Sequence, residues 1–237
     1  MKVSSIEDII SKFEEEINIK FNDKNIIKIA LTHSSFANER RGIKYNERLE
    51  YLGDAVLELI ISEYLFNNFK DKSEGDLTKL RALIVCENSL FEIAEMWNLG
   101  NYIIMSKGEE ATGGRTRTSI LADCVEAVIA AVYKDKGIDV TRKFIIDNFK
   151  ELIKKASRDE IVLDYKTKLQ EMLQRNGEVS INYNLLNIEG PAHRPKFYVE
   201  INVNDNCLGF GTGYSKKDAE QNAAKKVVLD LEGKNEQ

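Results

Sequence analysis

Residues 119–133, SILADCVEAVIAAVY, are apolar at twelve of their fifteen positions. The exceptions are Ser119, Asp123 and Glu126. A helix that is apolar on every side is typical of the interior of a domain. This stretch therefore predicts a central, buried helix against which other helices pack.

Asp123 and Glu126 are unexpected in such a helix. They stand three residues apart, so their side chains share one helical face. Burying an unpaired carboxylate is costly unless a cation, a proton or a metal compensates its charge. The pair therefore predicts a charge-compensated site.

A second predicted helix, residues 46–61, also presents acids on one face. Glu47, Glu50 and Asp54 are spaced i, i+3 and i+7, and apolar residues flank them. Like charges at such spacings destabilise a helix by roughly 0.2–0.5 kcal/mol per pair. The apolar flanks leave little polar surface between the acids, which is unusual for a solvated face.

Two explanations account for these acids. One is a set of buried ion pairs with Arg48, Arg81 or Arg115, since ion-pair networks also bury carboxylates. The other is a metal shared between the two helices, which we favour because each helix presents an acid pair. Carboxylate-only sites suit hard cations such as Mg²⁺ or Mn²⁺ and favour phosphoryl chemistry.

The histidine inventory narrows the chemistry further. The chain has two histidines, His33 and His193, and neither is close in sequence to an acid pair. A Ser-His-Asp mechanism therefore has no evident base, and the Glu-x-x-His pairs of di-iron bundles are absent. We interpret His33 as a hydrogen-bonded structural histidine.

The spacing of apolar residues divides the 237-residue chain into two parts. Residues 1–155 show helical periodicity throughout, which predicts a helical domain. The stretch 154–160, KKASRDE, is mostly charged and has no apolar face, so residues 156–162 are interpreted as a linker, although a frayed helix end would look the same. Residues 163–237 predict a smaller α+β domain.

The α+β domain reads as helix, three strands, helix. Residues 165–175 predict a short helix, and residues 179–185 and 197–203 alternate as strands do. A third strand is predicted over 207–211, with the glycine-rich run 209–213 as its end and a turn. Ser215 is the predicted N-cap of the last helix.

Composition excludes several classes of protein. Apolar residues make up 43% of the chain and charged residues 31%, which indicates a globular, soluble protein. The net charge of −5 provides no global basic field, so nucleic-acid binding would need local patches. The three cysteines form no C-x-x-C pair, so neither a structural zinc site nor a disulfide framework is supported. The N-terminal segment is acidic, unlike a secretory signal. We expect a cytoplasmic protein without a membrane span.

Four segments resemble the ribonuclease III family. Residues 46–57, NERLEYLGDAVL, closely match its signature, and residues 121–127, LADCVEA, match its second acidic motif. Residues 75–81 and 108–115 also fit. The resemblance implies an all-α endonuclease domain that acts as a homodimer and cleaves double-stranded RNA with a divalent metal. The expected products carry 5′-phosphates, 3′-hydroxyls and short 3′ overhangs.

The same resemblance implies roles for individual acids. Asp54 and Glu126 are expected to be catalytic, and Glu50, Asp123 and Glu126 to hold Mg²⁺, with Mn²⁺ able to substitute. Further family acids, near the dimer interface and the RNA, match Glu47 and Glu74. Processing of ribosomal RNA precursors and other structured transcripts is likewise an implication of the family.

The C-terminal part resembles a double-stranded-RNA-binding domain at residues 166–171, 190–193 and 215–224. Lysines at a helix N-terminus favour phosphate, and a polar helix face can contact the 2′-hydroxyls of A-form RNA. The candidate RNA-binding residues are Thr167, Gln170, Gln174, His193, Lys216 and Lys217. Taken singly, each would more often be an ordinary solvated residue.

A second hypothesis is a double-stranded-RNA-binding or ribosome-associated structural protein on a nuclease-like scaffold. The presence of all four matched acids argues against it. Metal-dependent cleavage of RNA distinguishes the two hypotheses.

Overall fold

The computed structural model describes residues 5–40, 42–158, 161, 164–174, 179–191, 195–204 and 206–235. The chain divides into two compact units, residues 1–161 and 162–237, called here the N-terminal unit and the C-terminal unit. Each unit has its own hydrophobic core.

The N-terminal unit is helical, as the sequence predicts. Its α-helices are α1 (Ile6–Glu16), α2 (Lys24–Ala30), α3 (Ser34–Asn38), α4 (Glu47–Asn68), α5 (Glu74–Val85), α6 (Glu87–Met96), α7 (Lys107–Ala111) and α8 (Thr118–Ser157). Two 3₁₀ turns, Leu99–Asn101 and Gly114–Thr116, flank α7.

Helix α8 occupies the centre of this unit, as residues 119–133 predict. All of its apolar side chains from Ile120 to Val132 are buried. At Gly137 the backbone has a φ of 80°, which kinks the helix before it continues to Ser157. The first two residues of the predicted linker, 156 and 157, are therefore helical.

Helix α4 packs against α8 more extensively than any other pair of described helices does. At the crossing, a Cβ on Gly53 would overlap the backbone carbonyl oxygen of Glu126 and lie 2.5 Å from its carbonyl carbon. Residue 53 must therefore lack a side chain for the two helices to approach this closely. This contact places the acidic faces of α4 and α8 beside each other.

The C-terminal unit confirms the predicted order of elements. It consists of α9 (Tyr165–Gln174), β1 (Ile181–Glu189), β2 (Lys196–Val203), β3 (Asn206–Gly213) and α10 (Lys216–Asn235). The strands form an antiparallel sheet in the order β1-β2-β3. The core joins Leu169 of α9 to Ile201 of β2 and to Ala223 and Val227 of α10. Arg175, the last residue of the predicted first helix, lies outside the described residues.

The glycine-rich run 209–213 forms the end of β3, as predicted, but the predicted turn within it is wrong because the strand continues to Gly213. Its glycines have a packing role, because α10 lies directly against this strand. A Cβ on Gly211 would overlap the backbone nitrogen of Ala223. The predicted cap at Ser215 is present, since its Oγ accepts the backbone N–H of Asp218 at 3.0 Å.

No helix in the described part of the chain combines the length and apolar character needed to cross a membrane.

The α4–α8 contact predicts a large effect for Gly53→Ala. The added methyl group must push the two helices apart, and overpacking of this kind costs typically about 1–3 kcal/mol. Trp97, the single tryptophan, is buried in the N-terminal unit, so its fluorescence during urea unfolding reports the stability of that unit.

Gly75→Ala is the matched control for Gly53→Ala. Gly75 lies in the first turn of α5, and a Cβ there would meet only the Ser73 Oγ, at 3.9 Å. We expect it to be neutral or stabilising by up to about 1 kcal/mol. Equal unfolding midpoints for Gly53→Ala and Gly75→Ala would disprove the close-contact account.

Candidate active site and nucleic-acid interface

Four carboxylates meet beside the Gly53 contact. Glu50 and Asp54 project from α4, and Asp123 and Glu126 project from α8. Asp54 is exposed, whereas the other three are half-buried. The apolar neighbours of these acids suggest deep burial, but none of the four carboxylates is fully buried. The reason is that the acidic face of α8 lies against the acidic face of α4 and not against the core.

The electrostatics confirm that these carboxylates influence one another. Burial raises the pKa of Glu126 to about 8, and the charges of Asp54, Glu50 and Asp123 add to the shift. Burial and the Asp123 charge raise the pKa of Glu50. In the metal-free protein the raised pKa values of Glu50, Asp123 and Glu126 therefore favour their protonated forms, and a divalent cation would relieve the repulsion.

None of the three candidate ion-pair partners pairs with the four carboxylates, and two of them are engaged elsewhere. Arg115 pairs with Glu110 at 2.7 Å, and Arg81 donates to the Ser62 Oγ at 3.1 Å. Arg48 is exposed on α4. Within the described ranges, no Lys or Arg forms an ion pair with any of the four carboxylates. The described structure therefore does not support the explanation that these acids are held in buried ion pairs with arginines.

The donor set suits a hard divalent metal. Among the described residues, no three His, Cys, Asp or Glu side chains converge on a single metal position. Mg²⁺ does not require such a cage, because it usually keeps several waters and binds one or two carboxylates together with substrate phosphates. Unpaired carboxylate oxygens with mutually raised pKa values fit that mode of binding.

Two other acids, Glu47 and Glu87, act electrostatically on this site, whereas, among the described residues, the only contact shown for Glu74 is within its own helix. Glu47, the first residue of α4, is exposed and contributes to the raised pKa of Glu50 and Asp123. Glu87, which the sequence analysis did not single out, raises the pKa of Asp123 more than Glu47 does. Glu74 lies at the start of α5, where it accepts a hydrogen bond from the Thr78 Oγ1 at 3.1 Å. Glu87 and Asp123 lie on different helices, far apart in sequence, so only the fold shows that the two carboxylates influence each other.

The candidate RNA-binding side chains are exposed on α9 and α10. Thr167, Gln170 and Gln174 lie on one face of α9, and Lys216 and Lys217 begin α10. A surface cavity of about 330 Å³ is lined by Thr167, Gln170 and Lys217, among others. The structure thus brings polar α9 residues and an α10 lysine to one concave surface. His193 lies outside the described residues.

A hydrogen-bonded clasp fixes α9 against α10. Gln221 donates to the Asp164 carboxylate at 2.8 Å and accepts the Tyr165 backbone N–H at 2.8 Å. Asp164 also accepts from the Thr167 N–H and Oγ1. The bond from Gln221 leads the effects that lower the pKa of Asp164 to about 2. The clasp therefore holds α9 and α10 in one arrangement.

Comparison with known families assigns both units. A ribonuclease-III-like family model matches residues 23–153, and a double-stranded RNA binding motif matches residues 165–231. A ribonuclease 3 from Clostridium tetani is 62% identical over 223 residues, covering 94% of this chain and 95% of the relative.

The chain belongs to the ribonuclease III family.

Further ribonuclease III relatives agree. A ribonuclease 3 from Clostridium perfringens is 61% identical and covers 92% of each chain. The solved nuclease domain of ribonuclease III from Campylobacter jejuni is 44% identical, with a TM-score of 0.57. It covers 60% of this chain and 96% of its own, and is described as flexible in the region involved in dimer formation. This chain is accordingly an enzyme, and its family and RNA-binding motif support endoribonuclease activity on double-stranded RNA.

The acidic cluster predicts a specific pH dependence of stability. Because the folded state raises the pKa of Glu126 to about 8, folding favours its protonated form. The resulting stability is present below the unfolded value of about 4.5 and is lost as pH rises through 8. Without metal, the urea midpoint reported by Trp97 should fall between pH 5 and 8.

Glu126→Gln should flatten this pH dependence and stabilise the metal-free protein at pH 8. Glu95→Gln is the control, since Glu95 is an exposed carboxylate of the same unit. An equally steep fall in Glu126→Gln and Glu95→Gln would contradict the assigned shift.

Proposed function

We propose that the chain is a Mg²⁺-dependent endoribonuclease that cleaves double-stranded RNA as a homodimer in the cytoplasm. Its products carry 5′-phosphates and 3′-hydroxyls with short 3′ overhangs, and Mn²⁺ substitutes for Mg²⁺. Ribosomal RNA precursors and other structured transcripts are its substrates. The observation that supports this proposal most directly is the group of four carboxylates without cationic partners at the α4–α8 crossing.

The four carboxylates have different proposed roles at the reacting phosphate. Glu50, Asp123 and Glu126 would hold the metal, directly or through its bound waters, and the metal would supply an activated water and stabilise the leaving oxygen. Asp54, exposed beside them, accepts a hydrogen bond from the attacking water and orients it. Glu126 must give up its proton to act as a ligand, and the charge of a bound cation would favour this loss over the protonated form that the metal-free site prefers. Glu47 and Glu74 are assigned to the surface that faces RNA and the second subunit.

The C-terminal unit supplies RNA affinity despite the acidic composition. Thr167, Gln170 and Gln174 present hydrogen-bonding groups suited to the 2′-hydroxyls of a minor groove. Lys216 and Lys217 lie where the α10 dipole also favours phosphate. We assign His193, from the loop between β1 and β2, to the same interface. A few lysines on one face are enough to bind RNA in an acidic protein, because affinity depends on the charges that contact the phosphates and not on the net charge of the chain.

An exposed apolar stripe on α4 supports the homodimer. Tyr51, Leu59 and Phe66 are 82%, 60% and 71% exposed, and their spacing places them on one face of the helix. Exposed apolar patches of this kind mark interaction surfaces. The stripe begins next to Glu50, so a second copy bound there would lie beside the acidic cluster.

Glu126→Gln tests the catalytic assignment. We expect cleavage of a fully paired RNA in Mg²⁺ to fall by more than about 100-fold, because partners of metal ligands alone contribute about 10–100-fold. RNA affinity should stay unchanged, since the binding residues belong to the other unit. Full cleavage activity in this variant would refute the assignment.

Lys217→Ala tests the RNA interface. Loss of one phosphate contact should weaken binding to double-stranded RNA and reduce the slope of log affinity against log salt by about 1. Lys226→Ala is the control, because Lys226 is exposed nine residues later on the opposite face of α10. Identical salt slopes for both variants would exclude this face.

Leu59→Glu tests the dimer surface. A buried charge on the α4 stripe should convert the protein into a monomer in sedimentation experiments. Leu229→Glu, on an exposed position of α10 in the C-terminal unit, should leave the dimer intact. A dimer that persists in Leu59→Glu would place the interface elsewhere.

A further inference from the structure

One carboxylate of the C-terminal unit, that of Glu220, contacts lysines on two helices. Its Oε2 accepts a hydrogen bond from the Lys166 Nζ of α9 at 2.6 Å, and its Oε1 lies 4.0 Å from the Lys216 Nζ of α10. The Glu220 side chain is 14% exposed, whereas those of Lys166 and Lys216 are 34% and 59% exposed. The carboxylate is therefore more deeply placed than either lysine and pairs with one of them through each oxygen.

A second contact restrains Lys166. Its Nζ lies 4.4 Å from the centre of the Tyr183 ring in β1, which is within the range of a cation–π interaction. Lys166 also lines the cavity of about 330 Å³ to which Thr167, Gln170 and Lys217 contribute. The sequence analysis did not single out Lys166, but the fold brings it to the same concave surface as these candidate RNA-binding residues.

A carboxylate is unexpected beside lysines that bind phosphate. Its charge repels the RNA backbone, so direct electrostatics would favour an uncharged residue at position 220. The same charge, however, offsets the repulsion between the ammonium groups of Lys166 and Lys216. It also orders two long side chains that would otherwise lose their rotamer freedom when RNA binds. A shared carboxylate therefore prepares both lysines for one set of phosphates.

We propose that Glu220 is a positioning residue for RNA binding, which orders the ammonium groups of Lys166 and Lys216 for contact with the phosphates of double-stranded RNA. Lys166 thereby joins the residues that contact the RNA backbone. The inference rests on the proposed function, in which Lys216 and Lys217 bind phosphate. The competing role for Glu220 is structural only, because its bond to Lys166 also links α10 to α9.

Glu220→Gln distinguishes positioning from direct electrostatics by the sign of its effect. The substitution keeps the size of the side chain and removes the charge that the two lysines share. If Glu220 orders the lysines, affinity for double-stranded RNA falls by about fivefold or more, and the slope of log affinity against log salt falls by about 1. If its charge only repels phosphate, the substitution strengthens binding.

Gln221→Ala is the matched control for a structural role. Gln221 is the next residue of α10 and also ties this helix to α9, through Asp164 and the Tyr165 N–H, but it carries no charge. Its loss should loosen the two helices, which faster hydrogen exchange of the α9 amides would report, while the salt slope stays close to that of the wild type. A role of Glu220 limited to linking the helices predicts this same pattern for Glu220→Gln.

Two further variants complete the set. Lys166→Met keeps an unbranched side chain and should lower the salt slope by about 1, because one phosphate contact is lost. Asp230→Asn removes an exposed carboxylate farther along α10 and controls for the change in net charge. We expect its salt slope to match that of the wild type.

The experiment uses the full chain and a perfectly paired RNA. Affinity is measured over a series of salt concentrations without divalent metal, so that binding is separated from cleavage. Cleavage in Mg²⁺ then gives KM and kcat. We expect Glu220→Gln to raise KM and to leave kcat unchanged, because the carboxylates at the α4–α8 crossing are intact.

Three results would overturn the inference. They are wild-type or tighter RNA binding in Glu220→Gln, a salt slope in Glu220→Gln equal to that in Gln221→Ala, and an unchanged slope in Lys166→Met. The proposed function fails separately, if the wild-type protein itself neither binds nor cleaves the paired RNA.

Discussion

The close approach of α4 and α8 at Gly53 is the contact on which the rest of the structure depends. A backbone-to-backbone contact with Glu126 leaves no space for a side chain at residue 53. It joins the two helices at the level where each carries its acids, one residue from Asp54 and at Glu126 itself. The apolar remainder of α8 buries itself in the core and holds the crossing in place. The contact that packs α4 against α8 is therefore also the one that brings the four carboxylates together.

The cost of this arrangement is electrostatic. Four carboxylates are held together without a cation from the described residues, and burial, together with the charges of the other three, raises the pKa of Glu126 to about 8. Because these carboxylates repel one another, a divalent ion that binds between them would stabilise the site. The ion would displace the bound protons and offset the negative charge. In the C-terminal unit, by contrast, the Asp164 carboxylate accepts hydrogen bonds from Gln221 and Thr167, and these bonds fix α9 against α10.

Sequence periodicity predicted the helical unit, the α-β-β-β-α unit and the pairing of acids on two helices, because each depends on local spacing. Three features needed the fold. Gly53 stood in the middle of a helical pattern, a signal of close approach, but its partner could not be identified. The end of β3 was predicted two residues too early, with a turn in place of Thr212 and Gly213, because the close packing of the last helix that these glycines allow is a tertiary contact. Glu87 acts on Asp123 only through tertiary packing, which no spacing along the chain encodes.

The central claim, that the acids at the α4–α8 crossing form a metal-dependent site for cutting double-stranded RNA, has one direct test. The purified protein is incubated with a long, perfectly paired RNA, with and without Mg²⁺, and the ends of both strands are mapped. The account predicts cuts only with Mg²⁺, with 5′-phosphates and a short 3′ overhang on each side. Binding without cleavage in either Mg²⁺ or Mn²⁺ would contradict it.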